Sequence, residues 1–282
     1  LLLPTIILIA ALLLYPLLYS LYLCVFDLNL TKPWLGPKFV GFKNFSIVLR
    51  SSDFWRSLRV TAYFAFFNLI TSMVGGLAVA LLLNARFKFR GIIRGLMIIP
   101  WAVPGVVNGL LWQWIYNSNY GALNGLLIQF GIIKQGIAWL ADPRLAMNML
   151  ILADIWTVIP FICLMYLAAL QSIPEELYEA GIVDGTTKWQ AFTNITLPML
   201  KSMTLVLLVL RTIAVFKVFD IIYTLTKGGP ASSTSVVGYY VYEQGFRFTK
   251  FGVSAAASYI LTFIILALVI VYFKVMKLEQ EN

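Results

Sequence analysis

A few residues that carry charge or form hydrogen bonds stand inside long apolar runs of this chain. Asp154 lies in one run, Arg211 in a second, and Asn108 and Trp112 in a third. Ionisable side chains in such runs usually face a cavity or a charged partner, because burying them in hydrocarbon is costly. Carboxylate, guanidinium and amide groups form hydrogen bonds with polar ligands, and indole rings pack against apolar faces. These residues are therefore candidates for a polar binding path.

A structural role for the same groups is equally open. Arg211, Lys217 and Asp220 could pair with one another, since the spacing of Lys217 and Asp220 places them on one face of a helix. They could also pair with a neighbouring subunit. Trp112, together with Trp114, could instead belong to the aromatic belt at a membrane surface.

The composition indicates what kind of protein must position these groups. The chain has 282 residues, of which 61% are hydrophobic and 12% are charged, whereas a soluble domain carries about a quarter charged residues. The apolar residues form runs of roughly twenty or more, long enough to cross about 30 Å of hydrocarbon. The sequence therefore predicts an all-α, polytopic membrane protein that forms a single domain over residues 1–282 and contacts membrane lipid.

Other classes of protein find little support. The net charge of +9 is scattered through loops and helix ends, which argues against nucleic acid as a partner. Cys24 and Cys163 lie in apolar runs and the chain has no His, so neither a disulfide nor a metal site is expected. Without a metal cluster or a nucleophile–base pair, the sequence gives no support to a membrane enzyme.

Six apolar stretches predict six membrane-spanning helices. Pro100 and Pro104 interrupt the third stretch and Pro160 the fourth, and each proline removes a backbone donor and kinks its helix. The prolines either only shape helix packing or mark helix bends that move during gating. The predicted spans are Leu2–Phe26, Leu58–Leu83, Gly91–Tyr116, Leu145–Leu170, Met203–Leu225 and Gly252–Phe273.

A polar, acidic segment over residues 171–200 separates the fourth stretch from the fifth, and it must lie outside hydrocarbon. Pro174 suits the first turn of a short helix, and Glu175 and Glu176 suit the positive end of its dipole. Gly185 permits a sharp turn, after which a second short helix is expected to run until Pro198 ends it. The segment is therefore predicted to form a rigid helix–turn–helix at the membrane face.

The segment carries a recognisable pattern, Glu179-Ala180-Gly181 followed by Asp184-Gly185 and then by Leu197-Pro198. This pattern resembles the EAA loop in the membrane subunits of binding-protein-dependent ABC importers. The stretch from Phe219 to Pro230 is also similar to that family, and in particular to the first permease of carbohydrate importers of the maltose, lactose and glycerol-phosphate type. Two positions depart from the pattern. Gly181 stands where alanine is usual, and Arg59-Val60-Thr61 stands where an asparagine–threonine pair is common.

The resemblance implies a type I ABC importer permease in which an ATPase subunit grips the segment 171–200 on the cytoplasmic side. It also implies that the fifth span lines the transport cavity, which adds Val215 and Val218, helical neighbours of Arg211, to the candidate path residues Asp154, Asn108 and Trp112. The residues to which the resemblance assigns ATPase coupling are Glu179, Ala180, Gly181, Asp184, Gly185, Leu197 and Pro198.

The implied partners are a second permease that completes a heterodimeric pore, two ATPase subunits, and an extracellular or periplasmic sugar-binding protein. ATP and Mg²⁺ would belong to the ATPase, because this chain has no Gly-x-x-x-x-Gly-Lys-Ser/Thr loop, and no cofactor of its own is expected. The implied substrate is a di- or oligosaccharide, with glycerol phosphate or a polyol as the alternative within the family. An alternative from another class is an ion-coupled secondary carrier, which would have inverted repeats and ionisable pairs near the midplane.

The distribution of cations gives an incomplete indication of orientation. The loop Asn84–Arg94, which includes Arg86, holds four cations and no acid, which predicts a cytoplasmic position. Alternation then places 27–57, 117–144 and 226–250 outside, although these segments hold more cations in total. The orientation, in the cytoplasmic membrane of a bacterium or archaeon, therefore follows from the resemblance.

Overall fold

The computed structural model describes residues 3–28, 34, 36–85 and 87–278. This part of the chain is largely helical, and its single small sheet pairs two short strands antiparallel with Phe26 opposite Phe39. The prediction of an all-α protein is confirmed. Arg86 and the two ends of the domain expected over 1–282 lie outside the described residues. The α-helices of the described residues are α1 (Leu3–Ile9), α2 (Tyr15–Cys24), α3 (Lys43–Arg50), α4 (Ser52–Asn84), α5 (Arg90–Met97), α6 (Gly105–Ile115), α7 (Ala122–Gln129), α8 (Pro143–Gln171), α9 (Glu175–Val183), α10 (Lys188–Ala191), α11 (Leu197–Met199), α12 (Lys201–Phe216), α13 (Asp220–Leu225), α14 (Val237–Tyr242) and α15 (Phe251–Leu278). The strands are β1 (Phe26–Asp27) and β2 (Lys38–Phe39). Turns of π-helix cover Ala10–Leu14, Phe192–Thr196 and Glu243–Arg247, and a turn of 3-10 helix covers Ile99–Ala102.

Four helical segments of the described chain are long and apolar enough to cross a membrane, namely Thr5–Cys24, Ser52–Asn84, Pro143–Gln171 and Phe251–Val275. A fifth span results if Arg90–Ala102 and Gly105–Ile115 are taken together, although they meet at an angle of 98°. Pro100 and Pro104 lie at this bend, as the sequence predicts. Pro160, by contrast, lies inside α8 without ending it.

The predicted fifth span, Met203–Leu225, is wrong as a continuous helix. Helix α12 has 16 residues, which is about 24 Å, and α13 begins only at Asp220. The backbone between the two helices packs against Gly238 in α14. A Cβ atom there would lie 2.5 Å from the Val218 carbonyl oxygen. The chain therefore breaks where its backbone meets α14, at a point that contains no proline or glycine.

Helices α4 and α8 run side by side in the same direction through the centre of the bundle. Tyr63 Oη donates to Asn148 Oδ1 at 2.9 Å near their starts, whereas Tyr166, near the end of α8, contacts Met73 of α4. Gly76 permits this approach, because a Cβ atom there would lie 2.4 Å from Ile162 Cγ2. Both helices therefore begin at one end of the bundle, and segment 171–200 extends from the other end.

Two clusters of buried apolar side chains hold the bundle together. Phe54 and Leu150 belong to the cluster nearer the starts of α4 and α8, and Ile173 and Leu200 belong to the cluster nearer segment 171–200. Close packing is the main source of helix association in a membrane, where lipid is as apolar as the side chains. The second cluster therefore fixes both ends of segment 171–200 to the membrane helices.

Candidate functional site

The first half of segment 171–200 forms the short helix predicted from its proline and acidic residues. Pro174 is the N-cap residue of α9, and Glu175 and Glu176 occupy the first turn. Two carboxylates at this position interact favourably with the positive end of the helix dipole. Asp184 is the C-cap residue, and its backbone N–H donates to the Ala180 carbonyl at 3.0 Å. The helix therefore has defined ends.

A tight turn joins α9 to the second half of the segment. Gly185 adopts a positive φ of 73°, a conformation that glycine enters without steric cost. The hydroxyl and the backbone N–H of Thr186 both donate to the Gly181 carbonyl, at 2.6 and 2.9 Å. Gly181 itself is buried, and a Cβ atom on it would lie 2.8 Å from Thr186 Oγ1. Glycine at this departure from the family pattern therefore lets the turn fold closely onto the helix.

The second half of the segment ends close to where the sequence predicts. A capping box starts α10: Gln190 N–H donates to Thr187 Oγ1 at 3.3 Å, and Thr187 N–H donates to Gln190 Oε1 at 2.8 Å. From α10 the chain stays helical through the π-helical turn Phe192–Thr196 and α11, which contains Pro198 and ends at Met199. Leu200 then separates α11 from α12, which begins at Lys201.

Most of the residues predicted to couple to an ATPase lie on the surface of the segment. Gly181 is buried, while the other six are exposed. Beside them stand large apolar side chains that contact little else, including Ile182, Val183 at 87% exposure and Trp189 at 70%. Apolar groups grouped with acids on a protruding element are typical of a surface that a partner covers. We call this surface, formed by Glu179, Ala180, Ile182, Val183, Asp184 and Trp189, the loop surface.

The loop surface is attached to the membrane helices by buried contacts. Tyr178 Oη and Thr196 Oγ1 form a hydrogen bond of 2.9 Å across the two halves of the segment. Tyr178 and Ile195 also pack against the cluster that contains Ile173 and Leu200. A force applied to the loop surface would therefore reach α8 and α12 through packed side chains.

A polar cluster links three membrane helices inside the bundle. Arg211 on α12 forms an ion pair with Asp154 on α8, and the side chains of the two residues are only 11% and 15% exposed. Arg211 Nη2 and Nε also donate to Asn68 Oδ1 on α4, at 2.6 and 3.2 Å, and Asn68 Nδ2 donates to Asp154 Oδ2 at 2.8 Å. Each charge is thus compensated, which explains how the cluster is tolerated among apolar helices.

A cavity of about 310 Å³ lies beside this cluster, where the third predicted span bends and the fifth breaks. Asn108 lines it and donates from Nδ2 to the Ala153 carbonyl at 3.0 Å, while its buried Oδ1 has no partner among the described residues. The cavity walls offer both hydrogen-bonding and aromatic groups. They include Trp101, Asn108, Asp154, Thr157, Lys217, Val218, Phe219 and Asp220.

The other predicted path residues occupy different surroundings. Val218 lines the cavity, but Val215 is buried in the apolar core. Trp112 packs edge to face against Trp156, with ring centroids 5.9 Å apart, and is not part of the cavity wall. Arg211 pairs with Asp154 on α8, so the pairing of Arg211 with Asp220 considered from the sequence is not formed. Asn68 was not among the path residues predicted from the sequence, because a lone amide in an apolar run gives no signal of its partners.

No group of three or more His, Cys, Asp or Glu side chains that could hold a metal ion occurs in the part of the chain that the structure describes.

Comparison with known proteins identifies the family. Residues 72–278 match the model of the binding-protein-dependent transport system inner membrane component family. The chain is 40% identical over 244 residues to the trehalose/maltose transport system permease protein MalF of Thermococcus litoralis, which covers 86% of this chain and 81% of that protein. It is 34% identical over 280 residues to the sulfoquinovosyl glycerol transport system permease protein SmoG of Agrobacterium fabrum, and the match covers 99% of this chain and 90% of that protein.

A solved structure agrees with this assignment. The fold superposes with a TM-score of 0.83 on a bacterial ABC transporter involved in the import of the acidic polysaccharide alginate, at 26% identity and with 98% of this chain and 93% of that chain covered. The fold also matches a second structure, that of a bacterial alginate ABC transporter in complex with an alginate pentasaccharide-bound periplasmic protein, with a TM-score of 0.82 at 26% identity. This match covers 96% of this chain and 90% of that chain. The chain therefore belongs to the family of binding-protein-dependent transport system inner membrane components, and it is a multi-pass permease subunit of an ABC importer.

Proposed function

We propose that this permease carries a neutral di- or oligosaccharide across the cytoplasmic membrane of a bacterium or archaeon, as one half of a heterodimeric pore. The observation that supports this most directly is the pairing of a protruding, apolar loop surface at one end of the bundle with a polar and aromatic cavity between its broken helices. Related permeases named for trehalose/maltose and for sulfoquinovosyl glycerol support a sugar as the substrate class.

The charges around the cavity favour a neutral sugar over glycerol phosphate. Arg211, which alone would attract a phosphate, is neutralised by Asp154. Lys217 and Asp220, which both line the cavity, carry opposite charges. Asn108 and Thr157 supply neutral hydrogen-bonding groups, and Trp101 and Phe219 supply aromatic faces, which is the combination that sugar rings require. The cavity of this subunit would enclose part of the substrate, and the second permease would complete the path.

The segment 171–200 would act as the coupling loop of this domain. An ATPase subunit would cover the loop surface, and the ATP and Mg²⁺ that drive transport would be held by that ATPase. Because Ile173 and Leu200 are buried in the membrane bundle, movement of the loop surface would be transmitted to α8 and α12 with little loss. Those helices carry Asp154 and Arg211, so the coupling path would end at the polar cluster beside the cavity.

The opposite end of the bundle would face a sugar-binding protein. The alginate transporter of similar fold has been solved with its periplasmic protein bound. In this orientation, α4 and α8 begin on the outer side and the loop surface lies in the cytoplasm, in agreement with the cationic loop after α4.

ATP hydrolysis by the assembled transporter in lipid nanodiscs tests this proposal. We expect binding protein loaded with its sugar to stimulate hydrolysis in the parent, and we expect Glu179→Ala and Gly185→Asp to lose the stimulation. A panel of maltose, trehalose and glycerol phosphate would then identify the substrate. If no ATPase co-purifies and uptake follows an ion gradient instead, an ion-coupled carrier replaces this proposal.

A further inference from the structure

A second cavity, of about 620 Å³, lies between the starts of α4 and α8, at the end of the bundle opposite the loop surface. Three of its nine lining residues are arginines, Arg56, Arg59 and Arg144, and none is acidic. Arg59 is also one of the positions that departs from the family pattern. The arginines in the wall of this cavity therefore favour an anionic ligand.

Nearby carboxylates offset the charge of Arg56 and part of the charge of Arg144, but not that of Arg59 among the described residues. Asp53 pairs with Arg56 at 2.7 Å. Asp142 accepts hydrogen bonds from the backbone N–H groups of Arg144 and Leu145, at 2.8 and 3.0 Å, and so caps α8. Within the described residues, the guanidinium groups of Arg59 and Arg144 have no hydrogen-bond partner.

One further polar group of the wall has no partner. Ser233 lines the cavity, and its buried Oγ forms no hydrogen bond within the described part of the chain. The remaining wall is largely apolar and includes Val60, Pro143 and Met147. A ligand that fits would combine an anionic head with an apolar body.

The cavity stands at the boundary of the apolar region of the helices. After Arg59, helix α4 contains no charged residue up to its end at Asn84. The side chains of Phe66, Phe67 and Ile70 on that helix are exposed, and so is Leu152 on α8. Arginines above an exposed apolar face are at the level of lipid headgroups, where their stems can lie along hydrocarbon while their charges stay in the polar layer.

We propose that this cavity binds the phosphodiester of an anionic membrane phospholipid, whose acyl chains lie along the exposed face of α4. The planar guanidinium group forms paired hydrogen bonds with phosphate oxygens, so Arg59 and Arg144 would hold the headgroup from α4 and α8 together. The lipid would thereby join the outer ends of the two central helices.

Native mass spectrometry of the assembled transporter, delipidated and then titrated with phosphatidylglycerol or with phosphatidylcholine, tests this proposal. For the Arg59→Gln/Arg144→Gln variant we expect affinity for phosphatidylglycerol to fall at least roughly tenfold, because two charge-assisted contacts are removed. The matched control is Arg247→Gln, since Arg247 is exposed and lies outside the cavity wall. The control should bind phosphatidylglycerol like the parent.

A second variant distinguishes a loss of lipid binding from a loss of folding. Arg59→Lys/Arg144→Lys keeps both charges but loses the planar geometry, and we expect its affinity to lie between those of the parent and the glutamine variant. Equal retention of phosphatidylglycerol by all variants would overturn the proposal. The proposal would also be overturned if the parent protein bound inorganic phosphate but not the lipid, or if the glutamine substitutions weakened only the docking of the binding protein.

Discussion

Arg211, Asp154 and Asn68 show how a charge is kept inside a membrane protein at the scale of single residues. The sequence places both charges among apolar neighbours and predicts either a partner or a substrate for them. The structure gives each charge a partner on a different helix. Together with Asn68, the pair therefore ties α4, α8 and α12 together at the edge of the cavity.

Removing one member of this pair should leave an uncompensated buried charge. We expect Arg211→Gln or Asp154→Asn alone to reduce the free energy of unfolding by roughly 3 kcal/mol. The double variant should lose less than the sum of the two, because neither charge then remains. Thermal unfolding of the four proteins in detergent measures the coupling. Additive losses, or unchanged stability combined with lost sugar response, would show that Arg211 acts on substrate directly.

The absence of a side chain at Gly181 is a second feature that acts through a single residue. A leucine there would push Thr186 and Ile195 away from α9, because their nearest atoms lie 2.8 and 3.3 Å from an added Cβ. We expect Gly181→Leu to reduce stimulated ATPase activity several-fold, since the loop surface would be displaced. Gly125→Leu is the matched control, because Gly125 is an exposed helical glycine with nothing within 4 Å of an added Cβ. Equal activity in the two variants would contradict this role of Gly181.

At the scale of elements, helices α4 and α8 are continuous while their neighbours are interrupted. Hydropathy predicts the positions of α4, α8 and α15, and the prolines predict the bend before α6. The break after Phe216 could not be predicted, because it depends on packing against α14 and not on a residue with special backbone preferences. Asn68 could not be predicted for a related reason. Its partners Asp154 and Arg211 lie 86 and 143 residues away in the chain.

The start of α8 should depend on pH through its capping carboxylate. Hydrogen bonds from the backbone N–H groups of Leu145 and Arg144 lower the pKa of Asp142 below its usual value. A lowered pKa means that the cap contributes stability above the unfolded value of about 3.9, and loses it as the pH falls through the folded value.

This dependence can be measured by comparing variants at Asp142. Asp142→Ala should lower the thermal midpoint at neutral pH, and its difference from the parent should shrink in acid. Asp142→Asn keeps a capping oxygen that does not titrate and should remain close to the parent at neutral pH. A difference between parent and Asp142→Ala that stays constant down to strongly acidic pH would show that the carboxylate does not stabilise this helix.

On the scale of the whole molecule, the three candidate regions lie at different depths of one packed bundle. The loop surface is at one end, the polar cluster and its cavity lie further in, and the arginine-lined cavity is at the opposite end. Family resemblance singled out segment 171–200 from the sequence, and three of the six residues of the loop surface, Glu179, Ala180 and Asp184, were among the predicted ones. The cavity could be predicted only as a set of scattered polar residues, because its shape arises where two interrupted helices meet.

Co-purification of the ATPase subunit with the permease tests whether that subunit binds the loop surface. Ile182 lies on the loop surface at 73% exposure, and Ile132, at 67% exposure, lies in the segment between α7 and α8, away from it. We predict that Ile182→Glu reduces recovery of the ATPase subunit with the permease at least roughly tenfold, while Ile132→Glu recovers it like the parent. Equal recovery of the ATPase with both variants would show that the ATPase does not bind the loop surface.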